Sequence, residues 1–441
     1  MVLLFSLRLQ VAYALQQILS KGLFGGYGDP AAMDYPKLRP VEALPTQNNM
    51  ICLRDPQGFS DKLLLIPPPL FFVVSLFDGS HSVLDIQAEY TSRFGELLFS
   101  EKVREIIERL DDALFLESEH FQQARVQAVE QFRSAVVRAA SHAGVSYEAQ
   151  PETLTGQLQA LFADPEAPGL PDTSSPTGRL RGLIAPHIDL PRGGACFARS
   201  YAELARECTA RTFVILGIAH VPTKHPFALT AKDFQTPLGK VVTDRDFLGL
   251  LETFCKTDFY EDEFCHRSEH SVEFQVLFLQ HLYGHEDRLR IVPILCSFPP
   301  ELYLGGAISV HSEIEEFVQA LSKTLAKHGS GVCCIAGVDL SHIGQRFGQN
   351  LELSPELLRE VETKDRAMIN TILSGDEEAF FRGIQEEQDR RNVCGVPAIY
   401  TLLRVIAAEE GKLLRYEQAV DPATQSVVSF MAGAFYGDRN P

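Results

Sequence analysis

The chain has no CxxC pair, and its nine cysteines are odd in number and scattered, which excludes a disulfide scaffold and a zinc ribbon. Free thiols of this kind suit a reducing cytoplasm. Basic residues are scarce as well. Lys plus Arg number 40 against 58 Asp plus Glu, a net charge of -18, so a phosphate backbone is repelled and nucleic acid is excluded as a main partner. A long hydrophobic run is also missing. The N-terminal MVLLFSLRLQVAYALQQILSKGLFGG is broken by Arg8, Gln10, Gln16, Gln17 and Lys21, short of the roughly 20 apolar residues a membrane-spanning helix needs. Arg8 lies inside that run, which fits no signal peptide. Residues 1–35 therefore read as an N-terminal extension, either native or upstream of a start at Met33. What remains is 441 residues of which 45% are apolar, enough for one full core and for a second domain.

Residues 36–50 carry Pro and Asn with no period and read as a lead-in. Next come the apolar run LFFVVSLFDG, a turn at Asp78-Gly79, and SVLDIQAEYTSRFG. In SEKVREIIERLDDALFLES, Val103, Ile106, Ile107, Leu110 and Leu114 repeat along one face of an amphipathic helix. Three helices with short strands predict a small winged-helix domain over residues 36–120. Charge separates it from the DNA-binding kind: between Asp78 and Glu119, four basic residues (Arg93, Lys102, Arg104, Arg109) stand against eleven acidic ones.

From residue 121 to 441 the pattern changes. Helical stretches (FQQARVQAVEQFRSAVVRAA, TLTGQLQALFA) and the loop PEAPGLPDTSSPTG lead into short runs rich in Val, Ile and Leu: RLRGLIAPH, RTFVILGIAH, RIVPILCSF, GVCCIAGVDLSH and QSVVSFMAGAFYG. Such runs are strands buried on both faces. Their alternation with helices predicts an α/β domain with a mostly parallel sheet flanked by helices.

Three of these strands end in polar groups: RGLIAP in His187, TFVILGIA in His220, and CCIAGV in Asp339 with His342 three residues on. Parallel strands deliver their carboxyl ends to one edge, where ligands of open α/β sheets bind, so these residues are expected to share a site. In CHRSEHSVEFQ, Ser268 or Ser271 starts a helix with Glu269, His270 and Glu273 in its first turn. Carboxylates there either cap the helix or, with the imidazole, move protons. In RRNVCGVPAIY, Cys394 precedes a helix start, where a thiol is expected to have a lowered pKa and to ligate metal as thiolate. Neither a nucleophile elbow nor an HExxH motif occurs, which argues against zinc hydrolysis.

In order along the chain, RAASHAGVSY, LIAPHIDLPRGG, FVILGIAH, TPLGKVVTD, SEHSVEFQ, IVPIL, GVDLSHIGQRFG, NVCGVPAI and SVVSFMAGAFYG resemble the Memo family, also called AmmeMemoRadiSam system protein B. The family's fold is similar to that of class III extradiol dioxygenases. The resemblance implies a metal site of His187, His220 and Cys394, with Asp339 and His342 in the same pocket and His342 as acid/base. It also places Glu269, His270 and Glu273 beside the pocket, while His142 matches the SHAG histidine without a role. APHIDLPRGG stands where many members have APHAGY, so Asp189 and Leu190 are expected at the pocket mouth. The stretches DGSHSVLDIQAEY and LDDALFLES resemble the PqqD-like peptide-recognition domains of radical-SAM systems.

Two imidazoles and a thiolate suit iron or copper. The expected function is thus a metal-dependent, dioxygenase-like redox protein acting on a small molecule or peptide. The alternative is a non-catalytic peptide- or protein-binding module with radical-SAM and AmmeMemoRadiSam system partners.

Overall fold

The computed structural model describes residues 33–437 apart from residue 47 and residues 165–166, 172–175, 285–286, 309–310 and 407. The expected extension therefore lies, up to residue 32, outside the described residues. The chain divides into two compact units, residues 1–131 and 132–441.

In the first unit, β1 (Glu42–Pro45), β2 (Ile51–Arg54) and β3 (Leu64–Ile66) form an antiparallel sheet in that order. Three helices follow, α1 (Pro68–Ser75), α2 (Val83–Phe94) and α3 (Ser100–Asp112), and α4 (Glu119–Ser134) runs across the division at residue 131. α2 is delimited by its own sequence. Ser82 and Asp85 make a reciprocal capping box, and Gly95 closes the helix at a φ of 71°. α3 buries Val103, Ile106, Ile107 and Leu110, as its period predicts. Leu114 lies beyond the helix end at a φ of 60°, and this left-handed turn sends Phe115 and Leu116 into the core instead. Beside that core, Arg39 pairs with Asp55, donates to the Leu114 carbonyl and lies 4.5 Å over the Phe121 ring.

The second unit comprises β4 (Val137–Arg138), α5 (Pro151–Ala163), β5 (Leu180–Ala185), α6 (Leu190–Glu207), β6 (Thr212–Ile218), β7 (Phe227–Leu229), β8 (Asp233–Thr236), β9 (Gly239–Thr243), α7 (Arg245–Glu252), α8 (His270–Tyr283), β10 (Arg290–Cys296), α9 (Ser312–His328), β11 (Val332–Gly337), β12 (His342–Gly344), α10 (Pro355–Leu373), α11 (Glu377–Glu386), α12 (Val396–Val405), β13 (Glu410–Asp421) and β14 (Ser426–Tyr436). The strands make an eleven-stranded sheet ordered β12-β14-β5-β11-β6-β10-β9-β8-β4, with β13 on β14 and β7 on β10. β5, β11, β6 and β10 are mutually parallel neighbours, as their apolar runs predict. The run SVVSFMAGAFY is different: β14 is antiparallel to both β5 and β13, so the sheet is mixed.

One apolar layer, on the face of Val214 and Leu216, is filled by α7 and α9 to α12. The other, on the face of Phe213 and Ile215, is filled by α5, α6 and α8. This two-sided burial explains why the central strands carry no alternation. Two glycines let α8 close onto the strand ends. A Cβ at Gly217 would stand 2.5 Å from Ser271 Oγ, and one at Gly337 2.7 Å from the Ser271 carbonyl oxygen. Among the described residues no helix is long and apolar enough to cross a membrane.

Candidate metal centre

The parallel strands bring their carboxyl ends to one edge, and the first turn of α8 lies against it. His187 follows β5 by two residues and His220 follows β6 by two, while His270 opens α8. One ligand atom from each of these three histidines lies within 4.8 Å of the others. The rings of His187 and His220 are 5.1 Å apart, those of His187 and His270 5.1 Å, and His220 stacks on His270 at 4.8 Å. Sequence reasoning had placed His270 among the proton-transfer groups. The structure places it with the imidazoles, because Glu269 and not a serine is the residue that caps α8.

Each ring is anchored through Nδ1. His187 Nδ1 donates to the Gly337 carbonyl at 2.9 Å. His220 Nδ1 donates to Glu269 at 2.9 Å, and His270 Nδ1 is 3.1 Å from the same carboxylate. An Nδ1 held as the donor, as in His187 and His220, is the tautomer whose Nε2 suits a metal. Burial first, and then the neighbouring imidazoles, hold His187 well below the ordinary histidine pKa. Glu269 is capping and functional at once. It accepts the backbone N–H groups of His270 and Ser271, both at 2.8 Å, and that of His220 at 3.1 Å. Burial works to raise its carboxyl, but His220 and His270 outweigh this and hold it well below the usual range.

Cys394 precedes α12, and its Sγ lies 3.5 Å from His187 Nε2 and 3.6 Å from the Asp339 carbonyl oxygen. The expectation of a lowered thiol pKa is overturned. Burial, with Asp339 beside it, pushes the thiol well above its ordinary value. Cys394 lies outside the helix, before its cap at Gly395, so no helical N–H groups offset the loss of water. Asp339 accepts the His187 backbone N–H at 3.0 Å, and burial raises its carboxyl to about 7. His342 begins β12. Its Nδ1 is 3.0 Å from the Leu340 carbonyl, its ring meets Phe347 edge-on at 5.0 Å, and burial lowers its pKa to about 4. The imidazole is therefore neutral at pH 7.

Glu273 sits one turn beyond Glu269 and has other partners. Its fully buried carboxylate pairs with Arg138 and Tyr147 and accepts Ser141 Oγ and the backbone N–H groups of Ser141 and His142 at 3.0 to 3.1 Å. These contacts tie the SHAG segment to α8, and none of them is to the three imidazoles. His142 Nε2 lies 2.9 Å from the Ser268 carbonyl, and its ring is 5.6 Å from that of His270. Arg138 and Tyr147 were not singled out in the sequence. Only their place in the SHAG block signalled them. Asp189 and Leu190 are not a pair at a pocket mouth: Asp189 caps α6 through the Arg192 N–H, and Leu190 is fully buried in the core.

The family model described as Memo-like protein matches residues 138–434, more than half of the chain. A MEMO1 family protein of Aquifex aeolicus is 27% identical over 404 residues, covering 91% of this chain and 100% of the relative, and so takes in most of the first unit too. A MEMO1 family protein of Methanopyrus kandleri is 32% identical over 291 residues, covering 64% of this chain and 93% of the relative. Protein MEMO1 of Danio rerio is 29% identical over 314 residues, covering 68% and 97%.

Proposed function

The chain belongs to the Memo-like protein family, and on that footing we propose that its second unit holds a metal ion on His187, His220 and His270, with Cys394 as an adjoining sulfur donor. One observation carries the reading: three imidazoles converge within 4.8 Å while each Nδ1 is held by a carbonyl or by Glu269. The donor set fits iron or copper. Such an ion would supply the electron transfer of a dioxygenase-like redox reaction on a small molecule or peptide.

The chain's own groups do the rest. Glu269 fixes two rings by accepting from His220 Nδ1 and lying beside His270 Nδ1, and it adds negative charge behind the ligands. His342, neutral and with Nδ1 turned to Leu340, keeps Nε2 as the acceptor for a proton from the ligand. Asp339 orients His187 through the backbone. Cys394 must lose its proton to bind metal, so its participation weakens in acid.

The test is elemental analysis of the purified protein and of H187A, H220A, H270A and C394A. Loss of metal from each histidine variant, with circular dichroism unchanged, is the expected result. Equal metal in all of them overturns the reading. A second reading, a peptide- or protein-binding module working with a radical-SAM system, draws on the acidic surface of the first unit, where eleven acidic residues outnumber four basic ones between Asp78 and Glu119. Tight peptide binding without oxygen consumption by the metal-loaded protein favours it.

A further inference from the structure

Arg138 lies in β4, a two-residue strand beside β8 at the end of the sheet order, away from the imidazole cluster in sequence. Its side chain is fully buried, with the guanidinium 5.2 Å over the Phe234 ring. Beyond the SHAG segment its guanidinium bonds a single stretch, residues 266–273. Nε donates to the His266 carbonyl at 2.9 Å, Nη2 to the Glu269 carbonyl at 2.7 Å, and Nη1 to the Glu273 carboxylate. The next residues add to the same stretch: Ser141 and the His142 backbone on Glu273, His142 Nε2 at the Ser268 carbonyl, Tyr147 on Glu273. That stretch carries both His270 and Glu269.

We infer that Arg138, with Glu273 as its counter-charge, is a positioning residue for the metal centre, setting the first turn of α8 so that the His270 ring and the Glu269 carboxylate face His220 and His187. The inference rests on the proposed function, since it concerns how that site is held. Three groups between residues 266 and 273, two carbonyls and one carboxylate, are fixed by one rigid fork, whose donors are more pre-organised than a flexible ammonium could offer. The Glu269 carbonyl is held from one side by Arg138, while the Glu269 carboxylate is spent on the rings on the other. The residue that caps α8 is thereby pinned at both ends. Arg138 touches neither ligand atom nor substrate, and its effect passes through Glu269 and His270.

The experiment titrates Cu(II) into the wild type, R138Q, R138K, Y147F and H270A, reading affinity and the electron paramagnetic resonance spectrum, with thermal melting alongside. Wild type that binds one Cu(II), lost in H270A, establishes the centre itself. The expected result for R138Q is affinity about tenfold or more below wild type, the scale of losing a group that orients ligands, with a spectrum moved toward that of H270A. R138K recovers part of both. Y147F removes one contact to Glu273 without stranding a charge, so it folds where R138Q fails to, and it moves the spectrum in the same direction. R138Q or Y147F with wild-type affinity and spectrum overturns the inference while leaving the metal centre standing. A wild type that binds no Cu(II) at these histidines overturns the proposed function instead.

Discussion

Both units bury charge, but in different ways. In the first, Arg39 and Asp55 form a pair with no side-chain exposure, and the Asp55 carboxylate also accepts the backbone N–H groups of Gln57, Phe59 and Ser60. In the second, one ligand atom from each of three imidazoles lies within 4.8 Å of the others, with the Glu269 carboxylate against two of the rings. The first arrangement is a pairing of opposite charges. The second gathers like groups, three imidazoles with the Cys394 thiol beside His187. Opposite charges that satisfy one another make a strut, whereas imidazoles drawn together make a cluster that could hold an ion.

The sharpest way to break this contrast is to open the strut. D55A leaves the Arg39 charge buried and unpaired and is expected to cost about 3–5 kcal/mol, read as a lower urea midpoint, with the metal content of the second unit unchanged. A fall in bound metal would show that the strut serves the site. Next in size is E269Q, which keeps the shape and removes the charge behind the rings. Metal affinity is expected to drop about 10- to 100-fold in a Cu(II) titration, and an unaltered affinity would return Glu269 to the role of a helix cap.

A third test concerns a buried histidine outside the cluster. His266 is buried, and loss of water lowers its pKa from 6.5 to about 4. The folded form thus refuses a proton that the unfolded chain accepts below pH 6.5. Its contribution is present above that value and is lost as pH falls toward 4. Between pH 7.5 and pH 5 this one group removes about 2 kcal/mol, so H266Q is expected to show a flatter pH dependence of the urea midpoint than the wild type. Equal slopes would sink the assignment. The smallest effect is S82A, which deletes the capping box of α2 and costs about 1 kcal/mol in melting experiments, with no change at the metal centre.

Much of the fold could be read from the residues. β5, β6, β10 and β11 are near-continuous apolar runs because helices cover both faces, and their ends pointed to His187, His220 and Asp339. β13 escaped notice: its residues are half-buried along most of its length, so neither alternation nor an apolar run marks it. The antiparallel setting of β14 was equally hidden, because a strand covered on both sides reads the same in either direction. At the site, Glu269 and Glu273 are equivalent by spacing. Only their surroundings separate them, imidazoles around one and the Arg138 guanidinium beside the other. Cys394 Sγ lies 3.5 Å from His187 Nε2, and the lowered pKa expected of its thiol fails, since burial acts on a thiol whatever helix follows it.

By itself, the order of residues determined the layered α/β plan of the larger unit and which strands end in histidine. Only the folded molecule decided that His270 joins His187 and His220, that one carboxylate of α8 serves the rings while its neighbour holds the SHAG segment, and that burial pushes the Cys394 thiol up. The reason is physical. Local pattern records which faces are covered, whereas ligand geometry and proton affinity depend on distances and dehydration among groups brought together from opposite ends of the chain.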